Sequence, residues 1–252
     1  MSKLSVCVIT KNEEAMIERC LSSVKWADEI IVVDSGSDDR TVVLAEKVGA
    51  KVTYNEWPGW AKQKNKAVSL ASHDWVLSLD AVEWLPNTAE KIIREAINST
   101  SIDGYSFARR TLFLGTWIRH GGWYPDTQIR LFRKSVTRFE EVPVHEKVIV
   151  PQRAASFNLD IWHESYVSLA EYFAKNKIYA AAQAVQQADQ KFLLAKLFLK
   201  PAGRFIQTYL VKLGFLDGAK GLLLAFFKSW YEWRVMTEIF RVRRSKELTH
   251  TQ

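Results

Sequence analysis

The chain has 252 residues, 48% hydrophobic and 25% charged, with a net charge of +7. That apolar share supports one sizeable core, or one core plus a helical appendage, and excludes a disordered polymer. The basic balance points to phosphate-bearing partners such as nucleotides, nucleic acid or anionic lipid, or to no more than a generic basic surface.

Leu4–Ile9 is a short apolar run, which predicts a buried strand. The residues before it lack the apolar core of a signal peptide, and no apolar run approaches the roughly 20 residues that span a bilayer. The chain is therefore expected in the cytoplasm. Cys7 and Cys20 lie in apolar runs and read as buried small residues, not as a disulfide or metal pair. Thr10–Glu14 is a polar turn, with Asn12 placed to cap a helix carrying Ile17, Cys20, Leu21 and Val24.

Glu29–Val33 is a second buried strand ending at Asp34. Ser35–Asp39 is a turn in which Asp38 and Asp39 suit capping, and Thr41–Val48 reads as a helix. Lys51–Tyr54 is a third strand, Trp60–Ala71 a lysine-rich helix, and Trp75–Leu79 a fourth strand ending at Asp80. This alternation predicts an α/β fold: a mostly parallel sheet with helices on both faces. Ligands of such sheets bind beyond the carboxyl ends of the strands. Polar clusters sit there at Thr10–Glu14, at Asp34–Asp39, before Trp60 and at Asp80–Glu83.

Further along, Tyr105–Arg109 and Gln128–Arg133 read as strands around an aromatic loop, Leu114–Asp126, and Val148–Val150 closes the region. From Ser168 the pattern turns helical, with breaks expected at Pro201, Gly203, Gly214 and Gly218. Two domains are expected: 1–165, catalytic, and 166–252, amphipathic and helical.

Val6-Cys7-Val8-Ile9-Thr10-Lys11-Asn12-Glu13-Glu14 and Ile30-Ile31-Val32-Val33-Asp34-Ser35-Gly36-Ser37-Asp38-Asp39 resemble the family 2 glycosyltransferases. So does Trp75-Val76-Leu77-Ser78-Leu79-Asp80-Ala81 with Glu83-Trp84-Leu85-Pro86. Gly121-Gly122-Trp123-Tyr124-Pro125-Asp126, Arg130-Leu131-Phe132-Arg133 and Val144-His145-Glu146 resemble the lipopolysaccharide core β-1,4-glucosyltransferases that act on the inner-core heptose. The resemblance implies a GT-A-type, Rossmann-like sheet with a C-terminal helical extension. It also implies inverting transfer of a hexose from a nucleotide-sugar, UDP-glucose, to a lipid-linked saccharide.

Asp34 can accept a hydrogen bond from a uracil N–H, and the resemblance assigns it that role, with Thr10 and Asn12 lining the same pocket. Asp34 as an ordinary cap is the alternative. Lys62 and Lys64 could reach the diphosphate or form a solvated helix face. The leaving diphosphate calls for a divalent metal, Mg²⁺ or Mn²⁺, held by carboxylates. The family pattern is Asp-x-Asp, and here it reads Asp80-Ala81-Val82. Valine cannot ligate, so metal binding is expected to be weakened. Glu83 is a poor substitute, since neighbouring strand residues face opposite ways. His145 is a candidate metal ligand or diphosphate donor.

For the general base, the resemblance favours Glu146, with Asp126 as competitor. Structural pairing of Glu146 with Arg130 or Arg133 is the other reading. Trp117, Trp123 and Tyr124 can stack on sugar faces, and Arg109, Arg110, Arg119 and Arg130 could grip acceptor phosphates. In the tail, Phe192–Leu194 and Leu197–Leu199 interleave with Lys191, Lys196 and Lys200, which suits peripheral attachment to the inner face of the cytoplasmic membrane. The rival reading is a packed helix with a basic face in water.

Three other classes compete. A nucleic-acid module lacks a recognition motif, and acidic strand ends oppose it. A dinucleotide enzyme would need glycines after the first strand, and Thr10–Glu14 has none. A non-catalytic glycan- or nucleotide-sugar-binding relative stays open because of Val82.

Overall fold

The computed structural model describes residues 2–98, 101–140, 148–149, 153–166, 169–188 and 193–250. It divides into two compact units, Met1–Arg109 with Asp126–His163, and Arg110–Pro125 with Glu164–Gln252.

The first unit is built on a sheet. Its first half comprises β1 (Leu4–Thr10), β2 (Glu29–Asp34), β3 (Lys51–Tyr54) and β4 (Trp75–Asp80), interleaved with α1 (Ile17–Ser22), α2 (Thr41–Val48) and α3 (Trp60–Leu70). After β4 come β5 (Glu83–Trp84), α4 (Ala89–Ile97), β6 (Gly104–Phe113), β7 (Thr116–Trp117) and β8 (Asp126–Arg133), of which β7 and the end of β6 from Arg110 belong to the second unit. β9 (Arg138–Phe139), β10 (Val148–Ile149) and β11 (Ala154–Tyr166) complete the strands. The spatial order is β3-β2-β1-β4-β8-β6-β11-β5, with β9 and β10 paired as a separate ribbon.

β3, β2, β1 and β4 run parallel, whereas β8 is antiparallel to both β4 and β6, and β11 to β5. The sheet is therefore mixed: the strands up to β4 are parallel, and those after it add antiparallel pairs.

The reason is visible along β1. Leu4, Val6 and Val8 enter one buried cluster with residues of α1, α2 and α4, while Cys7 and Ile9 enter another with residues of α3. Both sides of the strand are apolar, so both faces of the sheet need helices. Gly49, at φ +96°, ends α2 in the left-handed conformation that glycine adopts without steric cost.

Asn12 does not cap α1, which starts after Met16 without a side-chain cap. It sits at φ +55° and its side chain accepts the N–H of Asp38 at 3.0 Å. Asp39 does serve the next helix, accepting the Thr41 N–H at 2.9 Å.

The second unit holds α5 (Leu169–Gln186), α6 (Leu193–Ile206), a π turn at Gln207–Val211, a 3₁₀ turn at Gly214–Asp217 and α7 (Gly218–His250). Ala180, Ala184, Val235, Met236 and Ile239 make one core cluster, and Phe113, Ile118, Tyr172, Leu224 and Phe227 another. Pro201 and Gly203 do not break α6, contrary to expectation. A proline removes one helical N–H, and packing of the flanking turns outweighs that loss. The break comes at Gln207–Asp217, and α7 starts at Gly218, whose φ is +61°.

Candidate functional site

Parallel pairing aligns three strand ends. Thr10 lies opposite Asp34 between β1 and β2, and Ile9 lies opposite Asp80 between β1 and β4. The Thr10 hydroxyl is buried with no hydrogen-bond partner among the described residues. Beside it the Asp34 carboxylate is drawn into its own turn. Its oxygens accept the N–H of Gly36 at 2.8 Å, the N–H of Ser37 at 2.9 Å and the Ser37 hydroxyl at 2.5 Å. A carboxylate offers about four acceptor positions, so one is left. Gly36, at φ +86°, makes that turn possible. Asn12 ties the two loops together, its N–H donating to the Ser37 hydroxyl at 2.8 Å. The buried Gln63 joins the same loop, donating to the Ser35 hydroxyl at 2.9 Å.

At the end of β4 lies a chain of charges. Asp80 Oδ1 is 2.9 Å from Lys64 Nζ, and Asp80 Oδ2 accepts from the Arg130 guanidinium at 2.6 Å. The same guanidinium donates to Glu83 Oε1 at 2.6 Å, and Glu83 Oε2 accepts the Asp80 N–H at 3.0 Å. Arg109 stands 3.6 Å from Glu83 and donates through Nε to Asp126 at 2.8 Å. Gln128 donates to the other Asp126 oxygen at 2.9 Å.

Burial alone would raise the Asp80 carboxyl, but Arg130, Lys64 and Arg109 hold it well below the usual carboxylate range. Asp126 is likewise held low, chiefly by Arg109 and Gln128 against the effect of burial. Burial would lower the Arg130 guanidinium, yet Asp80 and Glu83 raise it, so it stays charged. Burial and the Arg109 charge push His163, on β11, down to about 3, so its imidazole is neutral at physiological pH.

Several expectations change here. Arg130 and Arg109 pair with carboxylates inside the first unit, at the end of β4, rather than with Trp117, Trp123 and Tyr124. Lys64 is not on a solvated face: only 4% of its side chain is exposed, while Lys62 is exposed. Trp117, Trp123 and Tyr124 belong to the second unit. There the guanidiniums of Arg110 and Arg119 lie 3.8 and 4.3 Å from the centre of the Trp117 ring system, and Tyr124 meets Trp117 edge-on. Trp123 packs against the cluster of Phe113 and Phe227. His145 and Glu146 lie outside the described residues.

The part of the site that composition and motif do not reveal is Gln63 and His163; Glu83 and Arg109 are legible as site candidates, but not as partners in this network. For Lys64 a signal exists: it shares a helical stripe with Ala61, Val68 and Ala71, all buried.

For a divalent ion the described residues offer a single carboxylate, Asp80. Such a cation is commonly held by one or two carboxylates together with substrate phosphates and waters. Here Asp80 is already shared by two cations, and Val82 supplies no donor. Among the described residues no three His, Cys, Asp or Glu side chains form a group able to hold a metal.

The sequence model described as Glycosyl transferase family 2 matches residues 5–149. An uncharacterized glycosyltransferase of Rickettsia bellii is 34% identical over 196 residues, covering 72% of this chain and 66% of that relative. The lipopolysaccharide core biosynthesis glycosyltransferase LpsC of Rhizobium meliloti is 27% identical over 245 residues, covering 88% of this chain and 89% of that protein. Among solved structures, S. aureus TarS 1–349 superposes with a TM-score of 0.50 at 17% identity, covering 95% of this chain and 91% of that one. That likeness shows a shared fold.

Proposed function

The chain belongs to glycosyl transferase family 2, and on that premise we propose that it moves glucose from UDP-glucose onto a heptose of the lipopolysaccharide inner core, with inversion. The observation that carries the donor assignment is the alignment of Thr10, Asp34 and Asp80 at the carboxyl ends of adjacent parallel strands. Asp34 keeps one acceptor position for a uracil N–H, the Thr10 hydroxyl has no competing partner, and Asn12 holds the two loops in register. The acceptor assignment draws on the likeness to LpsC, whose name places it in lipopolysaccharide core biosynthesis.

The reaction is a single displacement. The acceptor oxygen forms its bond to the sugar's anomeric carbon as the bond to the diphosphate oxygen breaks. The bonding pair leaves with UDP, and the hydroxyl proton passes to a carboxylate. Asp126 is a poor proton acceptor, because Arg109 and Gln128 hold its charged form. Glu146 is therefore the proposed base.

The acceptor is lipid-linked, and α6 suits the surface that carries it. Leu194, Phe198 and Leu199 are about 70% exposed and alternate with Lys196 and Lys200 along the helix. Among the described residues no helix is long and apolar enough to cross a membrane, so attachment at the inner face of the cytoplasmic membrane would be peripheral.

The test is incubation of the purified chain with UDP-glucose, UDP-galactose or UDP-N-acetylglucosamine and a core acceptor ending in heptose. Mass spectrometry reads the added sugar, and NMR reads its anomeric configuration. Gain of one β-linked hexose from UDP-glucose alone is expected, and gain from another donor, or an α linkage, refutes the assignment. Val82 favours one second reading, a relative that binds nucleotide-sugar without turnover. UDP binding without transfer, with transfer restored by Mn²⁺ in Val82→Asp, would establish that reading instead.

A further inference from the structure

We propose that Lys64 and Arg130 neutralise the donor's diphosphate in place of a divalent metal, so that this chain binds UDP without one. The inference rests on the UDP-donor reading above.

Lys64 is 4% exposed on its side chain and Arg130 6%, and both meet the single carboxylate of Asp80, one on each oxygen. A buried ammonium or guanidinium persists only when paired, so these cations are fixed parts of the strand end. A divalent ion on Asp80 would bring two more positive charges beside them. Val82 contributes no negative charge to offset that repulsion, and Glu83 is already committed to Arg130 and to the Asp80 N–H. The metal's electrostatic work and the lysine–arginine pair are therefore alternatives at this point.

Two donors are left over. Arg130 Nε and the Thr10 hydroxyl are both buried with no hydrogen-bond partner among the described residues, and both residues are over nine-tenths buried. Orphaned buried donors are rare in folded proteins, and an anionic oxygen satisfies them. As the bond from the anomeric carbon breaks, its electron pair moves onto the β-phosphate oxygen. The new charge falls to the ammonium and guanidinium, and the proton of the acceptor hydroxyl goes to the base carboxylate. No co-reactant is needed.

Calorimetric titration of UDP into the full chain decides the matter, in EDTA and then in Mn²⁺. The expected result is equal affinity within about twofold. Lys64→Met, with its fold verified by near-ultraviolet circular dichroism, should lose about tenfold or more of UDP affinity in EDTA. A tenfold or greater gain of the unaltered chain in Mn²⁺ overturns the proposal, on the basis of about 1.4 kcal/mol per decade. Folded Lys64→Met binding UDP as the unaltered chain does also overturns it. If Lys64→Met does not fold, the EDTA and Mn²⁺ titrations of the unaltered chain stand as the test. Absence of UDP binding under both conditions removes the donor reading itself, and the inference with it.

Discussion

The side chain of Glu83 accepts the backbone N–H of Asp80 at 3.0 Å, closing the turn in which Val82 lies. Glu83 thus anchors the strand end and the Arg130 guanidinium together. Glu83→Ala should destabilise the fold by about 3–5 kcal/mol, because it leaves part of a buried charge network uncompensated. Urea denaturation measures this, and a loss under about 1 kcal/mol would show that the anchor is dispensable.

Glu29, at the opposite end of the sheet, gathers four donors. Its oxygens accept from the Ser5 hydroxyl at 2.7 Å, and from Lys51, the Ser72 N–H and the Ser72 hydroxyl at 2.8 Å each. Burial alone would raise its carboxyl, but these partners bring it down to about 2 from an ordinary 4.5. The folded state therefore favours the ionised form. That stabilisation is complete above pH 4.5 and is lost as the pH falls through about 2. Glu29→Gln should cost about 3 kcal/mol at neutral pH and almost nothing near pH 2. Denaturant midpoints of the two proteins across that range should converge, and a gap that stays constant would rule out the ionised carboxylate as the source.

His163 titrates in a different window. Its folded value of about 3 lies below the ordinary 6.5, so the unfolded chain binds the proton more readily. Stability falls as the pH drops from about 6.5 toward 3, and above 6.5 the group contributes no pH dependence. His163→Gln should flatten the denaturant-midpoint profile between pH 6 and 5, above the range of Glu29. An unchanged slope there would mean that the half-buried imidazole does not govern this limb.

Phe198 and Leu199 are more than two-thirds exposed on α6. Phe198→Ser with Leu199→Ser should reduce co-sedimentation with phosphatidylglycerol vesicles by about tenfold or more. High salt should reduce it as well, through screening of the lysines. Equal sedimentation of the double variant would dismiss α6 as the docking face.

Much of the first unit is legible in its strands. The apolar runs at β1, β2 and β4 and the polar residues following them place the site at one sheet edge before any coordinates are known. β11, not among the strands expected from sequence, is legible too, since Phe157, Leu159 and Ile161 alternate with Asn158 and Asp160 as a half-buried strand requires. The charge network was not legible. Arg130 meets Asp80 from 50 residues away and Glu83 from 47, on an antiparallel strand whose position only the fold decides. An arginine in an alternating strand reads the same whether its partner is a buried carboxylate or a ligand's phosphate. Asn12 is ambiguous in sequence for a related reason. A side chain that suits a helix cap also suits a left-handed turn, and here the neighbouring strand's loop claimed it.

The second unit is assembled from segments far apart in the chain. Phe113 and Ile118, both fully buried, share a cluster with Leu224 and Phe227. On a ribosome adding about 5–20 residues per second, the first pair emerges roughly 10 s before the second. Two large apolar side chains must wait uncovered for that time. The nascent chain is therefore most prone to aggregation, and most dependent on chaperones, in that interval, and release before α7 is made would leave those residues permanently uncovered.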